Sequence, residues 1–251
     1  MKFLYLLPFS YFARTRLSEG SIAFHALFEW GAALVLTALF GVAGTLNSIL
    51  FALGAYVAFI SLYEIGYLFN DLVVSKKESA PRLRGPQGTP PAWLAAWVLA
   101  RLIVFVAITV LLDMSSRLNW WLFFCAMLVV FSVHNMLSDK ESKAASFLWL
   151  AWFRFMAPVI FIVQPLQRMG IALGAATLYA SFRLFGYLDS KGLLVMPGRQ
   201  SIRFRVNFFL MPLSAAVATW SYTEAAGFRW MVLYFSLIAG LAWCVQIRKA
   251  G

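Results

Sequence analysis

The 251 residues are 62% hydrophobic and only 12% charged, with a mean hydropathy of +0.79. A soluble domain carries about a quarter charged residues, so the composition excludes one and points to an all-α, polytopic membrane helical bundle. The net charge of +11 would suggest nucleic acid in a soluble chain. Here it marks the face turned toward anionic lipid, and no nucleic-acid partner is expected.

Residues 1–20 set Lys2, Arg14 and Arg16 among Phe3, Tyr5, Phe9, Tyr11 and Phe12. Pro8 interrupts the apolar run and no small-residue cleavage site follows, so the segment is expected to lie at the cytoplasmic membrane surface instead of serving as a signal peptide. A first span is expected over Ile22 to Val42, with His25 and Glu29 one turn apart as an intramembrane hydrogen bond. A second runs from Ser48 to Phe69, a third from Ala92 to Leu112 with Arg101 near its middle, and a fourth from Leu118 to Leu137. Gly85 to Pro91 cannot be helical and forms a loop.

Phe131-Ser132-Val133-His134-Asn135 ends the fourth span, where His134 and Asn135 either line a cavity or sit at the interface. The fifth span, Phe147 to Val163, holds Arg154, and the sixth, Gly170 to Leu188, holds Arg183. The seventh covers Val206 to Tyr222 and the eighth Trp230 to Ile247. Cys125 and Cys244 fall in apolar runs without metal-ligand spacing and are expected to be packing residues.

Eight spans put both termini on one side. Fifteen of the 21 Lys and Arg residues then fall in segments on that side, against Arg117, Arg168 and Arg229 opposite. By the positive-inside rule the termini and the loops 71–91 and 189–205 are cytoplasmic. Gly66-Tyr67-Leu68 at the end of the second span recurs as Gly186-Tyr187-Leu188 at the end of the sixth, as two parallel four-helix repeats within one domain would produce.

The second span ends in chemistry. Asn70, Asp71 and Glu78 follow an apolar run, with Glu64 two helical turns before Asp71 on the same face. Lys76, Lys77, Arg82 and Arg84 come next. Cations beyond a membrane helix usually anchor headgroups. Anchoring gives no reason for four acidic or amide side chains at the same spot. Asp71 and Glu78 suit a hard cation with oxygen ligands, and the Lys and Arg residues suit phosphate oxygens.

Asn70-Asp71, Glu78 and the Asp189 loop after the sixth span resemble the UbiA superfamily of intramembrane prenyltransferases, whose first motif is N-D-x-x-D-x-x-x-D and whose second is another acidic loop. Phe131-Ser132 resembles that family's Tyr-Ser at the end of the fourth helix. Val74 stands where the middle acid belongs, and after the sixth span only Asp189 is acidic.

The resemblance implies transfer of a prenyl group from an isoprenoid phosphate or diphosphate. Magnesium would be held by Asp71, Glu78 and Asp189, with Asn70 completing the catalytic set. Glu64, Tyr67, Lys76, Lys77, Arg82, Arg84, His134, Asn135, Arg154, Arg183, Tyr187 and Lys191 would contact substrate. A branch that moves phosphoribosyl from phosphoribosyl diphosphate onto a polyprenyl phosphate has a more basic second loop and an arginine in its fifth helix, which Arg154, Arg183 and Lys191 match. The alternatives from other classes are a lipid transporter and a non-catalytic subunit of a larger membrane assembly or oligomer.

Overall fold

The computed structural model describes residues 2–17, 21–75 and 84–250, the last of these with side chains through 246. The described structure is helical, with no strand beyond one isolated antiparallel bridge between Gly41 and Val163. In chain order the main helices are α1 (Ile22–Phe40), α2 (Thr45–Val74), α3 (Pro91–Leu111), α4 (Leu118–Met136), α5 (Lys140–Met156) and α6 (Pro165–Ser190). α7 (Ile202–Leu210), α8 (Leu213–Ala218) and α9 (Ala226–Ala250) follow. Six stretches, α1, α2, α3, α4, α6 and Thr223–Gln246, are long and apolar enough to cross a bilayer. The chain is a multi-pass integral membrane protein.

Local chemistry fixes where these helices start and stop. α3 and α6 open on Pro91 and Pro165, whose missing N–H costs nothing in a first turn. Asp139 accepts from the Ser142 N–H at 2.6 Å and caps α5, and Ser201 caps α7 through the Phe204 N–H at 3.1 Å. α5 ends at Met156, just before Pro158, a residue that cannot donate to the carbonyl one turn back. Pro212 separates α7 from α8 for the same reason. The expected fifth span is therefore a 17-residue helix beginning earlier, at Lys140, and the expected seventh is two shorter helices.

The chain forms two compact units, Met1–Ala23 with Leu53–Ser138, and Phe24–Ala52 with Asp139–Gly251. This division interleaves the chain and does not fall at its midpoint. In the first unit Tyr5, Tyr11, Leu68, Leu72 and Trp97 form one buried cluster, and Phe105, Trp120 and Phe124 pack edge and face at 4.7 to 6.3 Å between centroids. The residues expected at the membrane surface are folded into this unit, with Tyr11 and Phe12 fully buried.

In the second unit α6 lies against α9. A Cβ on Gly170 would stand 2.7 Å from the Glu224 carbonyl oxygen and one on Gly174 2.6 Å from Met231 Sδ, so the G-x-x-x-G spacing lets two helices approach closely. Phe28, Phe209 and Phe235 of this unit pack on one another at 5.1 to 5.4 Å between ring centroids.

The exposed faces are apolar as well. Leu99, Ile103, Val106, Val110 and Leu111 of α3 all project outward, the arrangement a lipid solvent demands. Cys125 and Cys244, expected in the packing, are instead free thiols on exposed helix faces. Leu122 and Val129 near the first and Leu241, Trp243 and Val245 near the second face outward too, because in a membrane protein hydrophobicity does not tell core from surface.

Candidate functional site

Tyr11, Arg16, Asn70 and Asp71 meet at the end of α2 in the first unit. α2 changes to wide π-helical turns over Asn70–Val74, a distortion often found at functional positions. This turn carries Asp71 into the interior, with none of its surface exposed. Both oxygens of its carboxylate accept from Arg16 Nη2, at 2.7 and 2.8 Å. The Tyr11 hydroxyl donates to Oδ2 at 3.0 Å and Asn70 Nδ2 to Oδ1 at 3.0 Å. Ser75 Oγ donates to the Asp71 carbonyl at 2.8 Å, tying the turn to itself.

Glu64, two turns earlier, is equally buried. Its Oε1 accepts from the Phe12 N–H at 2.7 Å, and its Oε2 accepts from Arg101 Nε and Nη2 at 3.0 and 2.7 Å. Arg101 Nη1 donates onward to the carbonyls of Tyr5 and Trp97, at 2.7 and 3.0 Å. The N-terminal segment is thus fastened at the Tyr5 carbonyl, the Phe12 amide, and the Tyr11 and Arg16 side chains.

The electrostatics agree with these roles. Burial pushes the Tyr11 hydroxyl well above the usual phenol range, and the charge and hydrogen bond of Asp71 push it further, so it stays a donor. Burial works against the Arg16 charge, but Tyr67 and Asp71 beside it hold the guanidinium protonated. The Arg16 guanidinium carbon lies 4.4 Å from the Tyr67 ring centroid, a cation–π contact. Gly85, at φ 72°, lets the loop holding Arg84 rest against the Tyr11 hydroxyl, 2.6 Å from where a Cβ would be. Phe131 packs against Gly66, with His134 edge-on to its ring at 6.4 Å. Asn135 is buried, donates to the Gly66 carbonyl at 3.4 Å, and leaves its Oδ1 without a hydrogen-bond partner among the described residues.

In the second unit Asp189 is half-exposed and accepts from Arg199 Nε at 2.9 Å. Tyr187 stacks on Phe147 at 4.5 Å, with Lys191 Nζ 5.8 Å from the Tyr187 ring centroid, and Arg183 lies over Phe24. Arg154, expected at substrate, is instead buried on Glu29, with Nε to Oε1 at 2.7 Å. The same carboxylate takes the His25 ring at 2.7 Å and the Tyr179 hydroxyl at 2.5 Å. The His25–Glu29 pair is therefore half of a four-residue cluster.

Lys76, Lys77, Glu78 and Arg82 lie outside the described residues. Among the described residues no three His, Cys, Asp or Glu side chains stand close enough to share a metal. Asp71 has both oxygens committed to Arg16, Tyr11 and Asn70. In this arrangement the described residues do not fit a magnesium ion. Spacing pointed to Asp71 and Glu64 but not to Tyr11 or Arg16, whose only sequence signal is a pair of arginines among aromatics. Comparison with protein-family models, curated proteins and solved structures returns no match to the chain.

Proposed function

We propose that the chain is an intramembrane transferase of UbiA type that acts on an isoprenoid phosphate or diphosphate at the cytoplasmic face. The observation that carries this is the Asp71 centre. The acid that the motif resemblance marks as first ligand ends a spanning helix, buried beside an arginine, a tyrosine hydroxyl and an aromatic wall. In the reaction the bond from an allylic carbon to the phosphate oxygen breaks and the oxygen leaves with the electron pair. The acceptor's nucleophile bonds to that carbon and gives up its proton. Positive side chains near the leaving oxygens stabilise the charge that develops there, and a lipid-facing bundle keeps water from the carbon.

α5, at 17 residues, and the α7–α8 pair complete eight crossings in this proposal, with both termini and the 71–91 and 189–205 loops cytoplasmic. α5 opens on the polar Lys140-Glu141-Ser142-Lys143, so in this proposal its crossing is completed by the apolar stretch from Ala157 to Val163. Phosphoribosyl transfer onto a polyprenyl phosphate is the variant that the basic residues Arg183 and Lys191 suit.

One observation favours a second reading, a non-catalytic membrane subunit: no oxygen of the Asp71 carboxylate is left for a metal or substrate. Mass spectrometry of the protein extracted in mild detergent separates the two. A copurifying isoprenoid phosphate supports the transferase, and bulk phospholipid alone supports the subunit.

A further inference from the structure

We propose that Arg16 and Asp71 form a latch that a phosphate-class anion opens, so that Arg16, in a segment assigned to no site by the motif resemblance, is an anion-binding residue. The inference rests on the transferase reading for the identity of the anion and on geometry alone for the latch. It accounts for the misfit between a motif acid and its full set of protein partners.

Arg16 is the joint of the closed arrangement. Its Nη2 alone serves both Asp71 oxygens, while Nη1 is buried and has no hydrogen-bond partner among the described residues. A guanidinium that uses one nitrogen of its fork on a carboxylate has capacity left for a second anion. A phosphate or diphosphate offers more charge and more acceptor oxygens than the carboxylate, in geometry that matches the fork. When such an anion takes Arg16, the Asp71 carboxylate loses its charge partner and is set free.

The rest of the segment is hung so that this exchange moves it. Tyr11 donates to Asp71 itself, and Thr15 Oγ1 donates to the Tyr11 carbonyl at 2.7 Å, so the turn from Tyr11 to Arg16 is one piece. The Glu64–Arg101 pair holds the Tyr5 carbonyl and the Phe12 amide independently of Asp71. Phe12 is therefore the pivot, and opening swings Thr15 and Arg16 about it while its bond to Glu64 stays made.

Thiol reactivity tests this without any activity readout. In a Cys125→Ser, Cys244→Ser background, Thr15→Cys places a thiol at a position 7% exposed, where its S–H keeps a weaker donor toward the Tyr11 carbonyl. It should react slowly with maleimide in the resting protein, and about tenfold faster when inorganic pyrophosphate or a short isoprenoid diphosphate is added, as expected of local opening. Arg16→Gln should give the fast rate with nothing added. Arg16→Asp combined with Asp71→Arg should restore the slow rate, which a merely misfolded variant would not do. A fast rate in the resting protein, or an unchanged rate in Arg16→Gln, overturns the latch whatever the protein catalyses. A latch that answers neither phosphate probe, or answers phosphatidylglycerol vesicles as readily as pyrophosphate, overturns the substrate anion as its key and leaves the transferase reading to be judged separately.

Discussion

Removing Arg101 should be among the most damaging single changes in the first unit. The side chain and its partner Glu64 have no exposed surface, and Arg101 makes two bonds to the carboxylate and two to the Tyr5 and Trp97 carbonyls. Arg101→Met keeps much of the volume but leaves a buried carboxylate with only the Phe12 amide from this set, a loss of about 3–5 kcal/mol. Glu64→Leu strands the guanidinium and should cost about the same. The double variant removes both charges together. What it removes is one bond each to the Tyr5 carbonyl and the Phe12 amide, each loss costing about 1–3 kcal/mol. At the middle of these ranges the double change costs about 4 kcal/mol against about 8 for the summed singles, a coupling expected only of groups in contact. Equilibrium unfolding in mixed detergent and dodecyl sulfate, followed by tryptophan fluorescence, measures all three. Strict additivity, or an Arg101→Met loss below about 1 kcal/mol, would refute the pairing.

Tyr179→Phe deletes one donor to the buried Glu29 carboxylate and should destabilise by about 1.5–3 kcal/mol in the same unfolding assay. Gly170→Val forces a side chain against the Glu224 carbonyl and should cost about 1–3 kcal/mol or more, whereas Gly192→Ala, with nothing near its Cβ, tests only the backbone strain of φ 69°. For topology, Ser116→Cys should label with an impermeant maleimide in intact cells, and Ser138→Cys only after permeabilisation. Labelling of Ser138→Cys from outside would place the α4–α5 loop, and with it the proposed cytoplasmic face, on the wrong side.

Long apolar runs were legible because no other signal produces them. α3 and α4 begin and end within one residue of where the runs do, at Pro91–Leu111 and Leu118–Met136. α5 was misplaced because its first turn, Lys140-Glu141-Ser142-Lys143, is polar and its start is announced by the Asp139 cap, not by hydrophobicity. The seventh span looked continuous in composition, but Pro212 breaks it. At the site, acids inside an apolar run stood out at once, since a charge there needs a partner. That Arg101 and Arg154 point inward follows from the same cost, and both are buried on glutamates. Which partner each acid takes was not legible. Tyr11 and Arg16 meet Asp71 across 60 and 55 residues, and no periodicity reports a contact of that range.

The proposed transferase stands or falls on turnover in a reconstituted bilayer. Purified protein in proteoliposomes would receive a labelled isoprenoid diphosphate, or phosphoribosyl diphosphate with a polyprenyl phosphate, together with a membrane lipid extract as acceptor, with and without magnesium. The account predicts a new lipid product with release of phosphate or diphosphate, reduced by orders of magnitude in Asp71→Asn while the variant keeps the parent's fold and lipid content. Product formation that Asp71→Asn leaves unchanged, or none with either donor, would contradict it.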